Sequence, residues 1–271
     1  VLTGGAVRLT GSGLGCPTWP ECTPGSYTPV PYQAEGQLHA WIEFGNRLLT
    51  FALLFSALVA VIYVLQSGRK DLRSLAAGQV LGIFGQGILG GITVLTDLHP
   101  LPVAGHLLLS MLLIAGATSL YSRRHEPHIK VAAPTKTISV LSQAHIAISF
   151  IVLILGTIVT GSGPHAGDEK AQRFGFDIRS VAILHADAVI FLMGLTIALL
   201  VAASVTRSTK KAIYIFFGIS LAQGGVGYAQ YLTGIPELLV AIHLAGATIF
   251  WIAAWRIRLS VVRTSQQERD Q

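Results

Sequence analysis

The chain has 271 residues, 52% of them hydrophobic and 12% charged. That is about half the charge of an ordinary soluble domain, so most of this surface cannot be facing water. The net charge of +6 comes from basic residues gathered into a few short segments, a pattern of membrane topology that gives no reason to propose nucleic acid as a partner.

In chain order, the opening VLTGGAVRLTGSG has too few apolar residues to span a bilayer and is read as the outer end of a first helix whose beginning is missing. Stretches long enough to cross a hydrocarbon core, roughly 20 residues each, then recur at 38–66, 75–96, 101–121, 138–160, 180–205, 212–232 and 238–259. They predict seven complete spans, eight with the first, in an all-α integral membrane protein. Lys and Arg accumulate in loops left on the cytoplasmic side. They gather in 68–73, in 122–130 with Lys136, in 207–211 and in the tail after Trp255, whereas the other side holds Arg8, Lys170, Arg173 and Arg179. Both termini are therefore expected inside, with residues 11–37 and 163–179 as the long outer loops. Cys16 and Cys22 fall in the first of these, where a disulfide can persist. A staple is the plain reading, although a six-residue spacing closes only a small loop and gains little from loop entropy.

A shift of 137 residues lays the chain on itself without gaps. Gln86 and Gly87 fall on Gln223 and Gly224, Gly90 on Gly227, Leu95 and Thr96 on Leu232 and Thr233, and His106 on His243. A weaker echo links TGSG at 10–13 with TGSG at 160–163. Such repeats in membrane proteins mark duplicated bundles with a site in each. They predict two pseudo-symmetric four-helix halves, residues 1–130 and 131–271.

The repeat also sets depth. His106 and His243 enter the fourth and eighth helices to the same extent, and His185 lies equally deep in the sixth. His185 and His243 are thus expected to face one another across the second half. Paired imidazoles at one height are what a flat macrocycle with axial iron ligands requires, and an intramembrane histidine is a functional candidate by default. The first half is not equivalent, because alignment by depth puts Asn46 opposite His106. His39, Glu43 and Asn46 follow an i, i+4, i+7 pattern on one face of the second helix. Glu43 has two readings: an ion pair with Arg47 at i+4, or a working acid or base.

The stretch GGAVRLTGSGLGCPTWPEC, the E-F-G-N-R signature at 43–47 and the single histidines on helices four, six and eight resemble the haem A synthase family over essentially the whole chain. The resemblance implies oxidation of the C8 methyl of haem O to a formyl group, giving haem A for terminal cytochrome oxidases. It implies a haem b held between His185 and His243, and substrate haem O beside His106 with Glu43 as the catalytic carboxylate. Arg47 and Asn46 then belong to the substrate site, where the Arg47 guanidinium is suited to a propionate. Cys16 and Cys22 either form a disulfide or pass reducing equivalents. The family pattern reads E-x-x-H-R where this chain has Asn46 before Arg47, so substrate iron is held either by His106 alone or with His39 in place of the missing imidazole. The implied partners are haem O, a haem O synthase, the lipid of a bacterial plasma membrane and an electron acceptor of unknown identity, with a homo-oligomer left open. The rival reading is a b-type membrane cytochrome that carries electrons only, sharing His185 and His243 with no use for Glu43.

His99, His125, His128 and His165 are read as loop or span-end residues, and His145 as a packed, hydrogen-bonded histidine within the fifth helix. The glycines of 82–91 and 224–227 are read as packing surfaces, since no strand precedes them to make a nucleotide loop.

Overall fold

The computed structural model describes residues 1–124, 135–169, 171–202 and 207–267, the segment 262–267 by backbone alone. His125, His128, Lys130, Lys170 and Arg269 lie outside the described residues, as does the Arg263 side chain. The elements are helices: α1 (Leu2–Leu9), α2 (Gln37–Gln66), a 3-10 turn (Lys70–Leu72), α3 (Arg73–Leu95), α4 (Pro100–Arg123), α5 (Lys136–Ser162), α6 (Ile178–Val201), α7 (Arg207–Leu232) and α8 (Glu237–Gln267). Among the described residues the one β pairing is an isolated bridge between Thr23 and Ser26. Among the described residues seven helices, α2 to α8, are long and apolar enough to cross a membrane, as the apolar stretches predict. Phe51, Phe55, Leu81, Ile190, Phe191 and Leu221 stand on these helices with more than half of their surface exposed. Such a display suits acyl chains and is prohibitive in water.

The chain divides into two compact units. The first comprises Val1–Gly116 with Thr157–Ile178, and the second Ala117–Gly156 with Arg179–Gln271. In the first, the end of α5 and the second long loop are tied to α1 and the first long loop. Gly13 N–H donates to the Gly167 carbonyl at 2.9 Å. The Arg8 guanidinium donates to the carbonyls of His165 and of Thr160, the latter at 2.7 Å. Arg173 reaches back within its own loop to the carbonyls of Gly163 at 2.8 Å and Pro164 at 2.6 Å. Loop carbonyls with no helical partner are thus satisfied by guanidinium donors. Glycines let α3 and α4 approach: a Cβ at Gly82 would strike Leu113, and one at Gly85 would lie 3.3 Å from Leu109.

The internal repeat extends to the two hairpin turns, α3 to α4 and α7 to α8. Leu98 N–H donates to Thr93 O at 2.9 Å, and Ile235 N–H to Gln230 O at 2.8 Å; Thr96 N–H donates to Ile92 O and Thr233 N–H to Ala229 O, both at 3.0 Å. Each turn takes two successive residues to positive φ, Asp97 at 50° and Leu98 at 58° in one, Gly234 at 80° and Ile235 at 61° in the other. A β-branched residue such as Ile235 adopts that conformation only where the surrounding turn dictates it. The turn is therefore a structural constant of the repeat, and it fixes the entry of α4 and α8, the helices that carry His106 and His243.

Candidate functional site

The first cluster lies where α2 meets the first long loop. Glu43 is 5% exposed, and both of its carboxylate oxygens are engaged. Oε1 accepts from Arg47 Nε at 3.1 Å and Nη2 at 2.6 Å, and Oε2 accepts from the Cys16 backbone N–H at 2.7 Å. Arg47 donates further to the carbonyls of Thr18 at 3.0 Å, Glu21 at 3.2 Å and Cys16 at 2.7 Å. The ion pair expected at i+4 thus forms, and its guanidinium also gathers the loop backbone. Cys16 and Cys22, both fully buried, are joined by a disulfide with Cα atoms 4.3 Å apart. Gln33 donates to the Gly15 carbonyl, and the Trp19 ring lies against Gly91 of α3. One carboxylate and one guanidinium therefore hold a disulfide-closed loop onto the end of the bundle.

Gly15 shows how close that approach is. A Cβ there would overlap the His39 carbonyl and come within 2.8 Å of the Ala40 nitrogen, and backbone cannot swing aside as a side chain can. Gly15→Ala is expected to destabilise the loop by about 1–3 kcal/mol. The check is the rate at which mild thiol reductant opens the Cys16–Cys22 bond, followed by thiol labelling; a rate equal to that of the parent protein would contradict the packing.

His39, on the same face as Glu43, accepts or shares a hydrogen bond at Nδ1 with Ser12 Oγ at 2.9 Å, and Ser12 is in turn 2.8 Å from Thr10 Oγ1. Ser12 is fully buried, and its spacing from other polar residues carried no signal in the sequence. Asn46 is half-buried. Among the described residues no hydrogen bond or ion pair joins Asn46 or His106 to Glu43 or Arg47. His106 instead faces α3: a Cβ at Gly90 would lie 3.3 Å from its Nε2.

The second cluster lies in the second unit. His185 and His243 stand with ring centroids 6.5 Å apart and planes at 70°. His106 and His243 are each six residues beyond the first residue of their helix and His185 is seven beyond the start of α6, about 10 Å along the axis. Nδ1 of each ring is buried beside a glycine of the neighbouring helix, 3.9 Å from the Cβ position of Gly156 for His185 and of Gly227 for His243. Two imidazoles on opposite faces of one haem iron, with bonds of about 2 Å, have centroids roughly 6 Å apart. The residues present fit that group. The rings are bordered by glycines, with a Cβ at Gly156 lying 3.4 Å from His185 Cε1 and one at Gly227 lying 3.4 Å from His243 Cε1. A larger residue at either position would occupy the space beside the imidazole.

Of the histidines set aside from the sequence, His99 accepts the Leu101 N–H at 3.3 Å, as a helix-entry residue does, and the His165 carbonyl is held by Arg8. His145 is 1% exposed and packs edge-on to Phe216 at 4.7 Å. Its Nε2 has no hydrogen-bond partner among the described residues, so it is packed as expected but not hydrogen-bonded through that atom.

The family model COX15-CtaA, cytochrome oxidase assembly protein, matches residues 1–167. The chain is similar to the heme A synthase of Sinorhizobium fredii, 24% identical over 94% of this chain and 85% of that protein. It is likewise similar to the heme A synthase of Shewanella oneidensis, 26% identical over 92% of this chain and 88% of that protein. The heme A synthase of Geobacillus thermodenitrificans is 28% identical over 36% of this chain and 30% of its own length. No solved structure matches the chain.

Proposed function

This chain belongs to the COX15-CtaA family of cytochrome oxidase assembly proteins, and from that premise we propose that it is a haem A synthase, an oxidoreductase that converts the C8 methyl of haem O into a formyl group. The observation that carries the reading is the His185–His243 pair, 6.5 Å between centroids. In this reading the pair holds a haem b in the C-terminal half, 131–271, and that haem supplies one-electron transfer within the membrane. Substrate haem O occupies the N-terminal half, 1–130, with His106 beside its iron and Asn46, an amide and a poor iron ligand, leaving the opposite face open.

The protein's own work is to position and to move protons. Glu43, buried at the foot of the disulfide loop, would take a proton from the water whose oxygen enters the methyl carbon, while the four electrons removed in going from methyl to formyl pass to a separate electron acceptor. Arg47 aims that carboxylate by pairing with Oε1, and through the Cys16, Thr18 and Glu21 carbonyls it keeps the loop closed over the site. A closed loop excludes bulk water and so protects a reactive intermediate. The setting is a bacterial plasma membrane with both termini cytoplasmic, with a haem O synthase as the source of substrate.

The decisive experiment co-expresses the protein with a source of haem O and separates the extracted haems by chromatography. Haem A is the expected product. Purified protein that carries haem but yields no formylated haem would instead be the electron-carrying b-type cytochrome.

A further inference from the structure

Gln86 and Gln223 are repeat-related and each lies one helical turn from the glycine that faces a histidine, Gly90 before His106 and Gly227 before His243. In the first unit Gln86 Nε2 donates to the His106 carbonyl at 3.1 Å and to Ser110 Oγ at 2.8 Å, while Ser110 Oγ donates to the same carbonyl at 3.0 Å. The amide orientation is fixed by chemistry: reversed, it would set its oxygen against a carbonyl that has no proton to offer. Oε1 is therefore the atom left over. It is buried and has no partner among the described residues. In the second unit Gln223 Oε1 is buried and unpartnered in the same way, its Nε2 lying over Gly246, and Ala247 stands where Ser110 would repeat.

A buried amide oxygen without a donor is costly, more so within the hydrocarbon of a bilayer. The same acceptor is idle at the same register of both hairpins, one turn from the glycine that faces the histidine, so a donor brought in with a bound group would satisfy it. Resting on the haem-binding reading above, we propose that Gln86 Oε1 accepts a hydrogen bond from an O–H group brought in beside His106, and that Gln223 Oε1 does so beside His243. Beside His106 that O–H is either the alcohol on the side chain of haem O, which haem B lacks, or a water molecule retained with the porphyrin; beside His243, where the reading places haem b, it is such a water. Gln86 is then a substrate-contacting residue as well as the clamp that fixes the His106 turn to α3.

The test titrates haem O and haem B into the holoprotein and into Gln86→Met, reading the absorbance change at the first site. The variant is expected to bind haem O about tenfold more weakly, the worth of one lost hydrogen bond to a buried group. Unchanged binding of haem B in the same variant identifies the donor as the alcohol, and an equal loss for both haems identifies water. Unchanged binding of both overturns the proposal. Ser110→Ala removes the clamp's hydroxyl and leaves the idle oxygen, so it should bind both haems as the parent does; if it reproduces Gln86→Met, the effect is one of helix packing and the proposal fails. If the parent protein takes up neither haem, the functional reading is lost. An experimental structure then decides this one separately, because no oxygen atom within hydrogen-bonding distance of Oε1 would refute it.

Discussion

Glu43→Gln is expected to lower haem A formation by at least about a hundredfold, the usual weight of a positioned general base, while the haem between His185 and His243 stays in place. The substitution is nearly isosteric and keeps an acceptor for the Cys16 N–H, which Glu43 Oε2 receives at 2.7 Å. It removes the charge opposite Arg47, a pair at 2.6 Å. Leaving one partner of a buried pair alone is damaging when nothing else satisfies it. Arg47, however, keeps the carbonyls of Cys16, Thr18 and Glu21, and its side chain is 20% exposed. The loop should hold, and the loss should fall on turnover. Two measurements separate the cases: haem analysis of co-expressed cells gives the yield, and thiol labelling under mild reductant reports whether the disulfide loop has loosened. Full yield in the variant removes Glu43 from the chemistry. Lost yield with a loosened loop makes its role one of support only.

The features that were legible in the sequence are those governed by one-dimensional rules. Seven spans follow from the apolar length a bilayer demands; most of their ends shift by only a few residues, as at Pro100 for a stretch read from 101, whereas α7 starts at Arg207 for a stretch read from 212 and α8 runs on to Gln267 past an end read at 259. The common depth of His106 and His243 follows from helical rise once the repeat supplies the register. That register continues into the turns, where Asp97 and Leu98 match Gly234 and Ile235 in backbone sign, a match that residue identity hides. The first long loop was opaque because it has no period. The Ser12–His39 contact, the reach of Arg47 to three carbonyls and the tether from Gln33 to Gly15 all depend on how 11–36 folds back on α2. The idle oxygen of Gln86 was out of reach for another reason: the repeat marked the residue, but an unsatisfied acceptor is visible only after every neighbouring donor is placed.

His185→Ala is expected to strip most of the haem from the purified protein, at least about tenfold, and to abolish the low-spin signature of whatever remains. The argument is geometric. With centroids 6.5 Å apart, the two imidazoles have the separation that two ligands of one iron would require. Removing one ring leaves a single ligand and a cavity bordered by Gly156, whose Cβ position lies 3.4 Å from the lost Cε1. Free imidazole is small enough to enter that space, so its addition should restore the six-coordinate absorbance spectrum. Rescue is the informative arm, since a histidine that merely packed helices would not be replaced by a diffusible ring. His106→Ala, in the other half, should leave this spectrum as it is. A His185→Ala protein with undiminished low-spin haem would place the cofactor elsewhere and leave the matched pair without a purpose in the proposed enzyme.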